Sequence, residues 1–534
     1  MTVRRVPIWP RASLALGLAW AGLAGLAGCQ GESPDVPTSS SPQPRLGGAI
    51  TVGTVEEFGP LDPTVASTRA AAELLPHFCE SLYVEDDEGE IVPRLATKEP
   101  QVGSRQDDVT WVEIELRTDA RFADGTPFDA HAVKATLDRY LSFPGSPRAD
   151  ALAGVAEVRV MEDDVVALLL PGPSRGGEDG LAARLTGWAG AVLSPAQVAA
   201  AGDQPIPRPV CVAPFQIDRL ESNGSVVLAR DPSYYGANQV SLDELVYRFY
   251  DNAEQRDQAL IEGEVDLAVH LLPHDLDLIG QSPGVETSRA PGRELLDLTV
   301  NLTDPGSALA SSGELRRAFL AAISRDGLDR AVYSGQFAPA CSFVPPRSPA
   351  ATERTKTCLS DDLALAQDLV GASGWTPPIR LSLTVAQTPD QIQVGQVIKQ
   401  LVAGAGFDLE LVEVTPLELA SRSRAGDFTV LLRSYDQSDD PAEIFRQLYL
   451  AGGTANWGGL DDPVLASLAE PLSQASDARH QGRVLDQAVD RLNELAVGLT
   501  LVWIDRLWAQ RDDIAGLQFT PSGGAVLTGA VRLG

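Results

Sequence analysis

Apolar and polar residues alternate along several segments, the pattern of a strand with one buried face. In one of them Val112, Ile114 and Leu116 alternate with charged residues, which predicts a half-buried strand. The segment Ala49–Thr54 predicts a short strand behind two glycines. Further strands are predicted within 225–236, 241–252, 378–387, 408–414 and 427–435.

Other segments repeat their apolar residues every three or four positions, which predicts amphipathic helices. Asp129 is a good N-cap for one such helix, and Gly263 is placed to end another that starts near residue 253. From residue 378 to 435 strands and helices alternate as β-α-β-α-β. The pattern therefore predicts the α/β fold class throughout.

Residues 1–29 have the features of an export signal. Three arginines precede an apolar run, Leu14–Ala27, which is too short to span a membrane. Small residues then lead to Cys29, as in a bacterial lipoprotein signal, in which the cysteine becomes the lipidated first residue. An ordinary secretory peptide with a chance cysteine is the alternative. Residues 30–45, rich in Ser and Pro, predict a flexible tether.

The net charge of −31 narrows the classes of macromolecule that the protein can bind. Nucleic acid is excluded as a partner, because phosphate binding needs clustered Lys and Arg. The acidity is explained by solubility alone.

Four cysteines follow the signal, and none has the spacing of a metal or redox site. An even number in an oxidising compartment favours disulfides. Cys341 and Cys358 flank a Pro-rich loop and are predicted to pair, while four buried free thiols remain the alternative.

Motifs for the common hydrolytic chemistries are absent from the sequence. It contains no GxxxxGK[ST] loop, no HExxH and no GxSxG. His270 and His274 are the one close histidine pair, but Pro273 lies between them at a strand end, which disfavours a metal site. We therefore expect no enzymatic activity, no metal and no cofactor.

Several segments, in order, resemble the bacterial extracellular solute-binding proteins, family 5, the oligopeptide/dipeptide/nickel-type binding proteins of ABC importers. The resemblance covers nearly all of residues 46–510. It rests on "GGAITVGTVEEFGPLDP", "IELRTDARFADGTPFDAHAV", "LARDPSYYGANQV" and "ELRRAFLAAISRDGLDRAVYSGQFAPACSFVPP". Each motif is weak alone, and the ordered set is specific.

The resemblance implies a periplasmic-binding-protein-like fold of two lobes joined by a hinge, with an extra domain inserted in the first lobe. We expect lobe I at 46–75, 205–290 and 490–534, the inserted domain at 76–204, and lobe II at 291–489. It also suggests a second bridge, Cys79–Cys211, because Cys211 and Ala213 replace two glycines of the family's "GTGPY".

The implied function is capture of a peptide-like solute between the lobes and its delivery to ABC permease subunits, with ATP hydrolysis on separate subunits. We expect a monomer, lipid-anchored outside the cytoplasmic membrane. The alternatives are a ligand-sensing receptor of the same fold that feeds no transport, a non-peptide solute and, least favoured, a secreted hydrolase.

The implied cleft contains strand-end residues from both lobes. Aromatic residues would form flat walls for the ligand, Arg433 would grip a carboxylate, and acidic residues would take an amine. The alternatives are that Trp457 packs in a core and that Arg433 pairs with a neighbouring Asp. The predicted ligand-binding residues are Glu56, Phe58, Arg433, Tyr435, Asp436, Asp439 and Trp457.

Overall fold

A computed structural model of the chain gives the architecture. It describes residues 44–86, 90–106, 109–144, 146–152, 154–171, 181–304, 306–359, 361–436, 440–475, 477–519 and 525–533. The predicted signal segment with Cys29 lies outside these ranges, as does most of the predicted tether. The last two tether residues form a short strand, Pro44–Arg45.

The described residues contain strands in five sheets, numbered here in chain order. They are β1 (Pro44–Arg45), β2 (Ala49–Thr54), β3 (Tyr83–Glu85), β4 (Ile91–Pro93), β5 (Gln101–Gln106), β6 (Val109–Glu115), β7 (Glu157–Glu162), β8 (Val165–Pro171), β9 (Phe215–Leu220), β10 (Val226–Arg230), β11 (Glu244–Phe249), β12 (Leu267–Ala268), β13 (Val285–Val300), β14 (Ile379–Ala386), β15 (Phe407–Val414), β16 (Val430–Asp436), β17 (Gly498–Arg511), β18 (Ile514–Ala515), β19 (Gln518–Phe519), β20 (Ala525–Val526) and β21 (Val531–Leu533).

The helices of the described residues are numbered in the same way. They are α1 (Arg69–Phe78), α2 (Ala130–Ser142), α3 (Arg148–Ala151), α4 (Leu181–Arg184), α5 (Gly187–Gly190), α6 (Pro195–Ala201), α7 (Ala253–Glu262), α8 (Pro273–Ile279), α9 (Ala308–Ser311), α10 (Gly313–Ala321), α11 (Arg325–Val332), α12 (Leu363–Ala372), α13 (Pro389–Ala403), α14 (Pro416–Ala425), α15 (Pro441–Tyr449), α16 (Pro463–Ser473) and α17 (Ala478–Leu495). Not one of these helices has both the length and the apolar character that a membrane span requires.

Local signals placed several helix ends correctly. Asp129 caps α2, since its carboxylate accepts a hydrogen bond from the backbone of Ala132 at 3.0 Å. Gly263 ends α7 with φ at 80°, a left-handed conformation that glycine adopts without a steric cost. The predicted α/β class is confirmed.

One sheet of ten strands runs through the molecule in the order β15-β14-β16-β13-β17-β12-β2-β11-β10-β9. We call β2 and β9–β12 the first half and β14–β16 the second half. β2 is parallel to β11 and β12, and β14 is parallel to β15 and β16. The two halves are joined only through β13 and β17 among the described strands of this sheet.

β13 and β17 are long antiparallel strands that pair with each other between the two halves. β13 also pairs with β16 of the second half, and β17 with β12 of the first half. Their register shifts between Ala290 and Glu294, where β13 bulges. At this point a Cβ on Gly292 would lie 1.9 Å from the carbonyl oxygen of Ile504, so only glycine allows the two strands to approach so closely. The bulge therefore marks the place where the paired strands pass from one half to the other.

A second sheet, β5-β6-β8-β7, lies in the segment that the sequence analysis assigned to an inserted domain. Its apolar residues share a core with α1, α2 and the first half. Two further cores lie on the two faces of β13. Leu295 belongs to one and Leu296 to the other, because successive side chains of a strand point to opposite faces.

Both suggested disulfides are present. Cys341–Cys358 closes the Pro-rich loop, as predicted from the cysteine count. Cys79–Cys211 joins the C-cap of α1 to the segment before β9. The second bridge therefore joins two chain segments that are 132 residues apart in the sequence.

Candidate functional site

The carboxyl ends of strands from the two halves face each other across β13 and β17. At the end of β12, Ala268 pairs with Ala509 of β17. At the end of β16, Asp436 pairs with Glu294, which in turn pairs with Ile504 of β17. β12 and β16 run toward each other, and their ends are five residues apart along β17, from Ile504 to Ala509, or about 17 Å at 3.3 Å per residue.

We call this region the candidate cleft: residues 54–58 after β2, 269–270 after β12, the end of β16, and the stretches 290–294 and 504–508 of the joining strands. Ligands of open α/β sheets bind at the carboxyl ends of strands. The candidate cleft combines such ends from two directions, so a molecule bound there would contact both halves.

Glu56 and Phe58 follow β2 into the candidate cleft but differ in exposure. Glu56 is half-buried, and its backbone N–H donates to Thr54 Oγ1 at 3.1 Å. Phe58 is only 4% exposed and packs edge-on against Tyr247, with ring centroids 6.1 Å apart. The Phe58 ring is therefore part of the first core in this structure and does not form an exposed wall.

His270, which the sequence analysis considered only as a metal ligand, lies at the end of β12. Its Nδ1 is 3.0 Å from Thr54 Oγ1, and its Nε2 is 2.8 Å from Glu73 Oε1. Its backbone φ is 56°, which is unusual for a non-glycine residue and places the ring across the end of β2. His274 instead pairs with Asp275, and the described residues contain no group of three potential metal ligands.

Arg433 makes the contact that the sequence analysis left as an alternative. Its Nε and Nη2 donate to the two carboxylate oxygens of Asp297 at 2.6 and 2.9 Å, and both side chains are almost fully buried. Its Nη1 donates to the carbonyl of Ala455 at 2.8 Å. The cation that was predicted to grip a ligand carboxylate thus has its charge neutralised by the protein.

Sequence reasoning did not single out Asp297, although a signal was present. It stands in the apolar strand "LLDLTV", where a charged side chain needs a partner. Burial and the Asp297 charge also raise the pKa of Tyr449, next to this pair.

Trp457 is half-buried and lies over Arg433, whose guanidinium carbon is 5.7 Å from the ring centroid. Its indole N–H donates to the carbonyl of Thr454 at 3.1 Å. The neighbouring Asn456 donates to Leu450 and Leu460 and so fixes the loop. Part of the ring therefore stays accessible on a loop that hydrogen bonds hold in place.

The remaining predicted residues are described only in part. Tyr435 and Asp436 end β16, with main chains paired to Leu295 and Glu294. Their side chains, and all of Asp439, lie outside the described residues. Ser434 donates a hydrogen bond to Glu294, which adds a carboxylate at the joining strands that the sequence analysis had missed.

An ion pair joins the bulge of β13 to β3. Arg293 donates to both carboxylate oxygens of Glu85, the last residue of β3, at 2.7 and 2.5 Å. The two side chains are only 15% and 12% exposed. Glu85 of β3 therefore holds β13 at its bulge.

Comparison with known proteins gives a match over most of the chain. The family model described as "Bacterial extracellular solute-binding proteins, family 5 Middle" matches residues 90–457. Among similar proteins, the glutathione-binding protein GsiB of Escherichia coli (strain K12) is 24% identical over 441 residues, 82% of this chain and 81% of GsiB.

Solved structures share the architecture. The PBP AgaA from A. tumefaciens R10, bound to agropinic acid, has a TM-score of 0.77 at 22% identity and covers 90% of this chain and 96% of its own. The dipeptide binding protein from Pseudoalteromonas sp. SM9913, bound to Met-Leu, has a TM-score of 0.77 at 19% identity, covering 91% and 100%. DppA from Helicobacter pylori, bound to the peptide STSA, has a TM-score of 0.79 at 17% identity, covering 92% and 99%. These likenesses confirm the predicted periplasmic-binding-protein-like fold.

Proposed function

Because this chain belongs to the bacterial extracellular solute-binding proteins, family 5, we propose that it captures a peptide-like solute in the candidate cleft. As a family member it is a substrate-binding protein of an ABC importer and not an enzyme, and it acts outside the cytoplasmic membrane. The solute, its contacts and the anchor form the proposal.

The observation that carries the proposal is the register of the central sheet. Strand ends of two halves face each other across the same five residues of β17. A solute in that gap bridges the halves, and its binding energy favours a closed arrangement over an open one.

The acidic residues of the candidate cleft favour a solute that carries an amine. Glu56 and Glu294 lie in the candidate cleft, and Asp436 and Asp439 follow on β16 or just after it. Amines on a short peptide complement such carboxylates through charge-assisted hydrogen bonds. Trp457 and Tyr435 supply aromatic surface for its apolar parts.

We propose a positioning role for Arg433 in place of the expected contact with a ligand carboxylate. Asp297 accepts from Nε and Nη2 of Arg433, and Nη1 donates to the carbonyl of Ala455. Arg433 therefore positions the Trp457 loop through Ala455 and the ring contact. The solute's carboxylate is then bound by other groups of the cleft.

The experiment is calorimetric titration with a panel of dipeptides and tripeptides, with maltose as a non-peptide probe. We expect at least one peptide to bind and Trp457→Ala to weaken it by more than about 1 kcal/mol. The matched control is Trp375→Ala, because Trp375 is exposed beyond the end of α12, away from the cleft. Binding of maltose alone, or equal losses in both variants, would contradict the proposal.

Delivery requires a location beside the permease, and we propose that a lipid on Cys29 provides it. The predicted tether between Cys29 and β1 would let the folded part reach permease subunits in the same membrane. We further propose that the protein acts as a monomer, since the two halves of one chain already enclose the solute.

A further inference from the structure

A cavity of about 60 Å³ lies inside the second half, beside the Arg433–Asp297 pair. Residues 297–300 of β13, Val497 with residues 498–500 of β17, and helix α17 line it. Asp297 is three residues along β13 from Glu294, so the cavity begins about 10 Å away from the candidate cleft. It is a separate space, large enough for a few water molecules or one small ion.

Arg325, the first residue of α11, lines this cavity and is only 8% exposed. Its Nε donates to the carbonyl of Thr500 at 2.7 Å and its Nη1 to the carbonyl of Leu359 at 3.3 Å. Nη2 donates to no described residue, and this atom is not fully buried. This nitrogen therefore faces accessible space.

Arg325 forms no ion pair with a carboxylate of the described residues, and the acidic groups that act on it from further away are Asp361 and Asp326. Burial lowers the pKa of Arg325 to about 10, and the charges of Asp361 and Asp326 partly oppose this change. The guanidinium is thus still protonated at neutral pH. A buried charge without a partner is costly, so a bound counterion would stabilise the protein.

Other groups around the cavity leave this charge uncompensated. Arg433, the second arginine of the lining, is neutralised by Asp297. Asn493 and Tyr449 also line the cavity, and neither side chain donates a hydrogen bond to a described residue. The cavity thus contains one excess positive charge and two further unused donors.

We propose that this cavity binds a small monovalent anion, of the size of chloride, bromide or formate, at Arg325. Asn493 and Tyr449 are the further donors available to it. The volume excludes a peptide, so the site is distinct from the cleft in which the solute is proposed to bind.

Bromide is the probe, because its anomalous scattering locates it in a crystal. We expect crystals of the protein soaked in sodium bromide to give an anomalous peak in the cavity, about 3.3 Å from Arg325 Nη2. Peaks confined to the exposed surface would overturn the proposal. This measurement needs no variant and is unaffected by whether any peptide binds.

Thermal unfolding in solution is the second test of the anion site. Adding 0–0.2 M sodium bromide should raise the thermal midpoint by about 2 °C beyond the general effect of salt, as a ligand near ten times its dissociation constant would. Arg325→Gln and Asn493→Ala should each lose at least half of this rise. Arg380→Gln, which removes an 86% exposed arginine from the same half, should keep it. Equal responses in all four proteins would refute the anion site.

Discussion

At the scale of single residues, Arg433 depends on one neighbouring carboxylate. In water the Arg433–Asp297 pair would contribute little, but both side chains are 4% exposed or less. Taking two charges out of water is costly, and the bidentate geometry offsets that cost only while both partners are present. Removing either partner leaves an uncompensated buried charge.

We therefore expect Arg433→Ala to lower the free energy of unfolding by about 3–5 kcal/mol. The double variant Arg433→Met/Asp297→Leu should lose much less, because neither charge is then buried alone. Urea unfolding measures both, and Arg380→Ala is the control, since its pair with Asp408 is exposed. If Arg433→Ala costs under 1 kcal/mol yet weakens peptide binding tenfold, Arg433 contacts the solute directly.

His77 is a second residue whose surroundings determine its chemistry. It is buried between Tyr247 and the backbone of Leu527, whose N–H donates to His77 Nε2 at 3.2 Å. Burial lowers the pKa of His77 from 6.5 to about 4. Between these values the unfolded chain binds a proton on His77 that the folded protein does not.

Stability should therefore fall as pH drops from about 6.5 to 4, with up to about 3 kcal/mol of the loss due to His77. His77→Gln should keep an acceptor for the Leu527 N–H and flatten this part of the profile. The measurement is urea unfolding of both proteins at a series of pH values. Parallel profiles for the two proteins would show that His77 stays accessible to protons in the fold.

At the scale of elements, the two disulfides close loops of very different length. Cys79–Cys211 spans 132 residues, while Cys341–Cys358 spans 17. A cross-link restricts the unfolded chain more when its loop is longer.

Replacing Cys79 and Cys211 by Ala should thus destabilise the protein by about 2 kcal/mol more than replacing Cys341 and Cys358. Urea unfolding of the two double variants gives the comparison, after non-reducing peptide mapping confirms both pairings in the parent protein. An equal or reversed order would mean that native packing around the shorter loop outweighs loop length.

Elements were also the level at which the sequence was most informative. β2 has the predicted bounds, and Asp129 and Gly263 mark helix ends, because strand alternation and capping are local properties. The Arg433–Asp297 pair joins residues 136 apart in the sequence, and no local pattern gives that register. Asp297 carried a signal, a charge in an apolar strand, but not the identity of its partner.

At the scale of the whole molecule, the meeting of the two halves could be inferred only from the family resemblance. The alternation of apolar and polar residues in a strand does not give the order of strands in a sheet. The facing ends of β12 and β16 are therefore evident only from the strand pairing along β17. The bulge at Gly292 and the Arg293–Glu85 pair place the boundary between the halves.

The proposed anchor also belongs to this scale. Cys29→Ser should move the protein from the membrane fraction to the soluble fraction, because a lipid on that thiol is the only hydrophobic anchor proposed. Immunoblotting of fractionated cells makes the comparison, and Cys341→Ser is a control that leaves the signal intact. A Cys29→Ser protein that still sediments with membranes would refute the lipid anchor.

The central claim is that the two halves close on a solute bound between them. The most direct test is the distance between spin labels at Met161 of β7 and Leu417 of α14, both exposed, measured by pulsed electron resonance with and without a peptide that binds. We expect a shorter and narrower distance distribution with peptide, while a control pair at Leu417 of α14 and Val464 of α16, helices before and after β16 in the chain, stays unchanged. An identical Met161–Leu417 distribution with and without saturating peptide would contradict it.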